Sequence, residues 1–234
     1  MRLDKFLSEC TSLSRKEIKK LIRLGVVTVN NATAGKSEIQ VDENSDIIRL
    51  NGEVVEYRKY IYLMMNKPQG VVSATWDKNQ PYVTQLIPEE FLHYEVFPVG
   101  RLDIDTEGLL ILTNDGDLNH RLTSPKKNIY KKYFAVLEKE AEDKDIEIFK
   151  NGIVLSDFTT KPAILEITEK KNEVYVSIAE GKFHQVKRMC GYIGKNVTFL
   201  KRVSMGALKL DESLKPGECR KLTDEEVKML FTNE

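Results

Sequence analysis

Three acidic residues lie within a few positions of one another in the segment FPVGRLDIDTEGLLILTNDG, residues 97–116. They are Asp103, Asp105 and Glu107, and apolar runs typical of strands flank them. A carboxylate held against a substrate can bond to a sugar carbon or stabilise positive charge there, provided that it stays ionised. A neighbouring cation would keep it ionised, so the segment predicts a nucleophile with a basic partner.

The same acids also match the start of a calcium-binding loop. Asp103, Asp105, Glu107 and Gly108 take its first, third, fifth and sixth positions. The twelfth position is Asn114 rather than a bidentate Glu, the intervening residues read as the strand LLILT, and no helices flank the segment. We therefore favour the nucleophile and expect no metal site.

The segment EGKFHQVKRMCGYIG, residues 180–194, can supply the basic partner. Its pattern predicts a helix over residues 184–193. Helical spacing gives one apolar face, made of Val186, Met189, Cys190 and Ile193. The opposite face carries four residues at i, i+3, i+4 and i+7 spacing, which are His184, Lys187, Arg188 and Gly191. Lys187 and Arg188 can supply the cation, and His184 is interpreted as a structural hydrogen-bonding residue rather than a base or metal ligand.

A third segment, the strand KKYFAVL at residues 131–137, places an aromatic ring beside two lysines. Tyr133 can present its ring to a nucleic-acid base, while Lys131 and Lys132 lie near phosphates. The segment is therefore typical of a surface that binds single-stranded nucleic acid.

The N-terminal residues predict two helices followed by short strands. Leu3, Phe6 and Leu7 recur at helical spacing, and Ser12 or Ser14 can cap a second helix. That helix spans 15–24, ends at Gly25, and is followed by strands at 26–30, 47–50 and 54–57. Its polar face is basic and comprises Arg15, Lys16, Lys19, Lys20 and Arg23.

A polar connection and a change of pattern at Tyr60 indicate a second domain, so the predicted domains are residues 1–58 and 59–234. Its candidate strands begin at Tyr60 and continue at 95–99, 109–113, 132–137, 163–168 and 173–178. Helices are predicted near 117–123, 144–151 and 184–193, and Thr223 can cap a last one. Strands outnumber helices and few βαβ units alternate. The predicted fold class is therefore α+β, with a small N-terminal α/β module and a catalytic domain built on a mostly antiparallel or mixed sheet.

Charge is segregated along a chain whose 36 basic and 36 acidic residues cancel. Residues 1–24 hold seven basic residues against three acids, a net of +4, and residues 181–209 hold seven basic residues and no acid. Residues 119–133 hold five more without an acid, and acids concentrate at 138–147. Such segregation indicates a polyanion-binding face.

Composition places the chain among globular proteins. An apolar fraction of 41 % and a charged fraction of 31 % exclude the disordered and fibrous classes. We expect a cytoplasmic protein, because the sequence contains neither a signal peptide nor an apolar run long enough to span a bilayer. The cysteines Cys10, Cys190 and Cys219 are expected to be reduced thiols, because they are odd in number and widely spaced.

Two sets of motifs resemble known families. Through RLDKFL, SRKEIKKLI and GVVTVN, the first 50 or so residues resemble the S-four RNA-binding domain, whose basic second helix lies along RNA phosphates. GRLD with DTEGLLILTNDG, KKYFAV and GKFHQVKRMC, in that order behind such a domain, resemble the pseudouridine synthases of the RsuA group. The resemblance covers essentially the whole chain. It implies an isomerase that breaks the glycosidic bond of a uridine in RNA and rejoins the base through carbon 5, without cofactor or metal.

The resemblance also implies roles for particular residues. Asp103 would be the nucleophile or glycosidic-bond activator, and Tyr133 would stack on the flipped uracil and is a candidate for the later proton abstraction. Lys187 would pair with Asp103, with Arg188 as second choice. RNA contacts are expected from Arg15, Lys16, Lys19, Lys20, Arg23, Arg101, Lys131, Lys132, Lys182, Gln185, Arg188, Lys201 and Arg202, and backbone contacts also from Lys126, Lys127 and Lys195.

The compact length resembles the enzymes that modify 16S RNA of the small ribosomal subunit, at a uridine-516 type of site. The expected substrate is ribosomal RNA, in a partly assembled small subunit, and the chain is expected to act as a monomer. Two alternatives stay open. One is a 23S RNA enzyme of the same group, and the other is a noncatalytic RNA-binding protein of ribosome assembly.

Overall fold

A computed structural model of the chain, which describes residues 1–233, divides it into two compact units. The first comprises Met1–Ile61 and Ile87–Val96, and the second comprises Tyr62–Leu86 and the residues from Phe97 onward. The segment Ile87–Val96 contains a 3-10 helix, Glu89–Tyr94, that lies against the first helix of the chain. The N-terminal unit is thus completed by residues from a distant part of the sequence.

The first unit packs two helices on a small antiparallel sheet. The helices are α1, Leu3–Cys10, and α2, Arg15–Arg23, and the strands are β1, Val27–Val29, β2, Ala32–Thr33, β3, Ile48–Leu50, and β4, Glu53–Val54. The sheet order is β2-β1-β3-β4. Ser14, rather than Ser12, caps α2, because its hydroxyl accepts from the Glu17 amide while the Glu17 carboxylate accepts from the Ser14 amide. The apolar faces of the helices and sheet meet in one core that includes Phe6, Ile18, Val27 and Ile48.

The second unit is built on a nine-stranded mixed sheet in the order β13-β5-β7-β11-β8-β10-β9, with β6 beside β7 and β12 beside β11. The strands are β5, Tyr62–Lys67, β6, Phe97–Pro98, β7, Glu107–Thr113, β8, Lys131–Leu137, β9, Ile164–Ile167, β10, Glu173–Ile178, β11, Val197–Met205, β12, Leu208–Lys209, and β13, Cys219–Lys221. All pairings are antiparallel except that of β7 with β11. The predicted α+β class with a mixed sheet is confirmed.

Four helices belong to this unit: α3, Gly116–Thr123, α4, Asp143–Asn151, α5, Gln185–Tyr192, and α6, Asp224–Met229. Short 3-10 helices occur at Val83–Leu86 and Pro125–Lys127. Thr223 caps α6 as predicted, and Glu226 completes the capping box. No helix within residues 1–233 has the length and apolar character needed to cross a membrane.

The predicted strands did not include β11, although it lies between β7 and β8 in the sheet. Its sequence, VTFLKRVSM, has two adjacent basic residues at its centre, which interrupt the apolar pattern that identifies a strand. The parallel pairing of β7 with β11 joins residues about ninety positions apart, Lys201 with Glu107 and Arg202 with Gly108. A pairing between such distant segments leaves no local signature in the sequence.

Candidate active site

The loop that carries Asp103 connects β6 to β7 and is held from inside the protein by a buried lysine. Lys67, at the end of β5, is fully buried. Its ammonium donates hydrogen bonds to the carbonyl oxygens of Pro68, Asp103 and Thr106, at 2.9, 3.1 and 2.9 Å. Burial lowers the pKa of Lys67 to about 8, although the nearby carboxylates, Asp103 first, oppose the shift. Two of these charge-assisted bonds therefore tie the Asp103 loop, at residues 103 and 106, to the end of β5.

Helix α5 brings a cation to this loop. The ammonium of Lys187 lies 3.3 Å from a carboxylate oxygen of Asp103 and 2.5 Å from one of Asp105. The hydrogen bond from Lys187 lowers the pKa of the Asp105 carboxyl below its ordinary value. Arg188 instead points to Asp157, with which it forms an ion pair. Of the two cations considered from the sequence, Lys187 is the one that contacts Asp103.

The helical faces follow the predicted pattern. Val186, Met189 and Cys190 are buried, so the polar face of α5 is directed away from the core. His184 precedes the helix with a positive φ of 49°, and its Nε2 lies 3.6 Å from a carboxylate oxygen of Asp103. The ring of Phe183 stacks on that of His184, with centroids 3.8 Å apart, although Phe183 is 70 % exposed. His184 thus lies between the exposed ring of Phe183, on which it stacks, and the Asp103 carboxylate, which its Nε2 approaches.

Tyr133 and Asp103 line the same small cavity, whose volume is about 60 Å³. Tyr133 is buried on β8, and its side chain shares a strand face with Ala135 and Leu137. The remaining wall includes Arg101, Thr106, Ile178, Leu200, and residues of the segment 181–187. An enclosed cavity of about 150 Å³ can hold one benzene ring, so the Asp103 cavity is smaller than the ring of a base.

Several predicted RNA contacts lie at accessible positions. Arg101 and Lys182 are exposed at the rim of the Asp103 cavity. On the first unit, the basic residues of α2 are all exposed and line one shallow groove: Arg15, Lys16, Lys19, Lys20 and Arg23. Lys126 and Lys127 are exposed in the 3-10 helix Pro125–Lys127.

Strand alternation divides the other predicted contacts on β8 and β11 between the two faces of the sheet. Lys131 lies on the strand face of Tyr133, half-buried, and burial lowers its pKa to about 8. Lys132 lies on the opposite face of β8, where it pairs with Glu166. Lys201 lies on that opposite face too, because its register partner on β8 is Phe134.

Three of the residues predicted to contact RNA are buried. Arg202 is only 2 % exposed, and its Nε donates to the Leu109 carbonyl oxygen at 2.7 Å. Gln185 is 3 % exposed, and its amide group donates to Glu180 and accepts from the Lys182 backbone. Lys195 is buried between Glu142 and Asp145. Each of these side chains bonds to other groups inside the protein, so an RNA contact would require the side chain to move.

The calcium alternative receives no support from the geometry, since Asp103 and Asp105 share the ammonium of Lys187. Across residues 1–233, no group of three or more His, Cys, Asp or Glu side chains is arranged to hold a metal ion.

Comparison with known proteins identifies both units. Residues 61–192 match the family described as RNA pseudouridylate synthase, and residues 1–47 match the S4 domain. The chain belongs to the RNA pseudouridylate synthase family. The resemblance found in the sequence is confirmed, and this pseudouridine synthase is an isomerase that acts on RNA.

Relatives of the synthase align over nearly its full length. It is 46 % identical to an uncharacterized RNA pseudouridine synthase of Bacillus subtilis (strain 168), YtzG, over 98 % of each chain. It is 37 % identical to ribosomal small subunit pseudouridine synthase A of Escherichia coli (strain K12), over 97 % of this chain and 98 % of that one. A solved pseudouridylate synthase is similar with a TM-score of 0.69 and 37 % identity, covering 98 % of this chain and 99 % of the other.

Three residues that contact the Asp103 loop or a residue beside it were not singled out from the sequence. Lys67 lies at the end of an apolar strand, in the sequence NKP. A lysine at the end of a strand is expected at the surface, whereas this one is buried. Asp105 appeared only as one of the clustered acids, although it shares Lys187 with Asp103. Phe183 lies in GKFHQ, where an exposed aromatic residue beside a predicted helix start could have drawn attention.

Proposed function

We propose that this synthase isomerises one uridine of 16S ribosomal RNA in a partly assembled small subunit, at a uridine-516 type of site, with Asp103 as nucleophile. The observation that carries the catalytic assignment is the ion pair between Asp103 and Lys187 in a cavity walled by Tyr133. The small-subunit target is supported by full-length relatives at 37–38 % identity that are named ribosomal small subunit pseudouridine synthase A.

The target base must leave its stack before reaction, because C1′ of a stacked nucleotide cannot approach Asp103. Extraction costs a few kcal/mol. Contacts between RNA phosphates and the basic residues of α2, Arg101 and Lys182 offset that cost. The exposed ring of Phe183, which stacks on His184, offers a further stacking surface.

Isomerisation then begins at the glycosidic bond. A carboxylate oxygen of Asp103 bonds to C1′ of the ribose as the C1′–N1 bond breaks, and the bonding electrons leave with the uracil as an anion. The Lys187 ammonium, 3.3 Å from the Asp103 carboxylate, limits the rotation of that carboxylate. Because Lys187 also pairs with Asp105, its ammonium remains near the loop when the charge of Asp103 is consumed.

In the second half of the reaction, the uracil turns and is joined to the ribose through carbon 5 instead of N1. Carbon 5 of the uracil bonds to C1′, and the Asp103 carboxylate departs with its electron pair. The proton on carbon 5 is then removed, for which the Tyr133 oxygen is the candidate acceptor, and N1 takes up a proton from solvent. Atoms and charge balance, so the reaction needs no other reactant.

Pseudouridine mapping tests this proposal. Free 16S RNA, free 23S RNA and partly assembled small subunits would each be incubated with the wild-type enzyme, Asp103→Asn and Asp105→Asn. We expect one new pseudouridine in 16S RNA with the wild type, none with Asp103→Asn, and a reduced yield with Asp105→Asn, whose carboxyl shares the same lysine.

The outcomes separate the parts of the proposal. A new site in 23S RNA alone would overturn the small-subunit target and leave the chemistry intact. Full activity of Asp103→Asn would overturn the nucleophile. If neither RNA is modified while both are bound, the noncatalytic assembly role becomes the better interpretation.

A further inference from the structure

The sheet of the second unit has an accessible face opposite the Asp103 cavity. On β8, Tyr133, Ala135 and Leu137 are buried, whereas the alternating residues Lys132, Phe134 and Val136 are partly exposed. On β9, Leu165 is buried between the exposed residues Ile164 and Glu166. Because successive side chains point to opposite faces of a sheet, the face that carries Phe134 is open to solvent and does not contain Tyr133. We call it the far face.

Three aromatic rings form a row across the far face. Phe134 and Tyr175 are direct register partners on β8 and β10, with ring centroids 5.5 Å apart. Phe199 on β11 continues the row, with its centroid 6.3 Å from that of Phe134. All three are only partly buried. A row of accessible rings on neighbouring strands exposes flat apolar surface that ordinary core packing would cover.

Lysines surround these rings. Lys132 Nζ lies 4.8 Å from the centroid of the Tyr175 ring and 2.5 Å from Glu166. The register partner of Lys201 on β8 is Phe134. The side-chain ammonium of Lys201 forms no hydrogen bond or ion pair within the part of the chain that the structure describes. The far face therefore presents one ammonium group without a salt-bridge partner, that of Lys201, beside aromatic surface.

A pocket of about 530 Å³ opens between the far face and the segment 209–214. Its lining includes Phe134, Tyr175, Lys201 and Asn66, with three lysines in all against two acids, Glu212 and Asp211, of which Asp211 pairs with Arg220. Asn66 is 2 % exposed, and its side-chain nitrogen donates to the Leu214 carbonyl oxygen at 2.8 Å. Its Oδ1 is buried and accepts no hydrogen bond from any residue in 1–233. Leaving a buried acceptor unpaired is unfavourable, so this oxygen can accept an N–H or O–H donor when the pocket lining moves.

The combination of these groups selects one class of ligand. Flat rings stack on bases, a free ammonium binds a phosphate, and a buried carbonyl oxygen accepts from a base N–H or a ribose hydroxyl. An acidic peptide would pair with the lysine and leave the rings uncovered, and an apolar ligand would leave the lysine unpaired. The pocket volume also falls in the range of sites that hold a nucleotide-sized molecule.

We propose that the far face binds an unpaired segment of RNA, with bases on Phe134 and Tyr175 and a phosphate at Lys201. The segment is distinct from the one whose uridine enters the Asp103 cavity, because the two surfaces lie on opposite faces of one sheet. Binding there raises affinity for RNA that has an unpaired stretch near the target, and it takes no part in the isomerisation.

Photo-crosslinking of the full chain tests the location. The probe is an oligoribonucleotide of about eight residues that contains 4-thiouridine, and crosslinked peptides are identified by mass spectrometry. We expect crosslinks on β8, β10 or β11 at the aromatic row. Crosslinks confined to α2 and the Asp103 cavity would overturn the proposal.

Two variants test the contribution to affinity. Phe134→Leu keeps an apolar side chain of similar bulk, and Lys201→Gln removes the free charge, so both should preserve the fold. Each is expected to weaken binding of the unpaired oligonucleotide about fivefold or more, while a fully paired duplex binds as it does to the wild type. Lys150→Gln, an exposed lysine on α4, is the matched control and should change neither.

Binding measurements keep this test independent of the catalytic proposal, because Asp103→Asn enzyme can be used throughout. Unchanged affinity in both folded variants would overturn the far-face site. If the variants lose equal affinity for paired and unpaired RNA, the site recognises only charge. Displacement of the oligonucleotide by polyglutamate at matched charge would show the same. Either result would contradict recognition by stacking.

Discussion

The buried ammonium of Lys67 donates to the backbone carbonyl oxygen of Asp103, 3.1 Å away, and to that of Thr106, 2.9 Å away. It donates to Pro68 as well, so three carbonyl groups depend on one side chain. Burial lowers the pKa of Lys67 to about 8. A neutral amine has only two N–H groups for these three acceptors, and deprotonation therefore releases part of the Asp103 loop.

Activity should consequently decline with rising pH above about 8. We expect the single-turnover rate to fall by about tenfold per pH unit once Lys67 loses its proton. The stability contribution has the opposite sign. Between about 8 and 10.5 the unfolded chain holds a proton that the folded chain has released, so this group increases the unfolding free energy as pH rises. We therefore expect activity to fall with rising pH while stability does not. The single-turnover rate at each pH measures activity, and urea denaturation at each pH measures stability.

Lys131 provides the control, because burial lowers its pKa to about 8 as well. Lys131→Met should retain the decline in rate. Lys67→Met should have a low rate that no longer changes over this pH range. A decline of the same size in Lys67→Met would show that another group is responsible.

Replacing Lys187 should slow the chemical step more than replacing Arg188. Lys187→Met removes the ammonium that lies 3.3 Å from Asp103, and removal of one such charge typically lowers kcat about 100-fold to 1,000-fold. Arg188→Met removes an ion pair with Asp157 instead, so we expect less than about a tenfold effect on kcat. Single-turnover kinetics with saturating enzyme would measure both.

Rescue distinguishes a charge effect from a folding effect. Lys187→Arg keeps a cation on the same face of α5 and should recover part of the lost rate, whereas Lys187→Gln should not. Equal rates for Lys187→Met and Arg188→Met would contradict the assignment of Lys187 as the partner of Asp103.

Much of this site could be predicted because it depends on local patterns. The periodicity of α5 alone places Lys187 and Arg188 on its polar face, and the polar tip between two apolar runs identifies the Asp103 loop. The sequence could not distinguish the two cations as partners of Asp103. That choice depends on Asp157, which lies some thirty residues earlier and pairs with Arg188.

Other parts of the site depend on the packing of distant segments and could not be predicted locally. Lys201 and Arg202 are neighbours in a basic run, so both were expected at the surface. In β11 they point to opposite faces, one toward the far face and the other into the protein against Leu109. A charge pattern reveals such a difference only when the strand and its partners are known.

Gly108 should tolerate no side chain. It adopts φ +104°, and a Cβ there would overlap the carbonyl oxygen of Arg202 on the parallel strand. We expect Gly108→Ala to lower the unfolding free energy by about 2–5 kcal/mol, from backbone strain together with steric overlap. Activity should fall too, because β7 begins immediately after the Asp103 loop. Denaturation midpoints would measure the change, and Gly116→Ala, at a position with open space around the Cβ, should leave stability nearly unchanged.

The basic residues of α2 should control RNA affinity and its dependence on salt. Lys16, Lys19 and Lys20 are exposed, and none forms a hydrogen bond or ion pair within residues 1–233 that would compete with RNA phosphates. Replacing all three by Gln should raise KM, leave kcat nearly unchanged, and reduce the slope of log affinity against log salt by about 0.7–0.9 for each phosphate that is no longer neutralised. Replacement of three exposed lysines of the second unit, Lys139, Lys150 and Lys171, removes the same charge as a control. If that control changes the slope equally, net charge rather than the α2 surface determines the affinity.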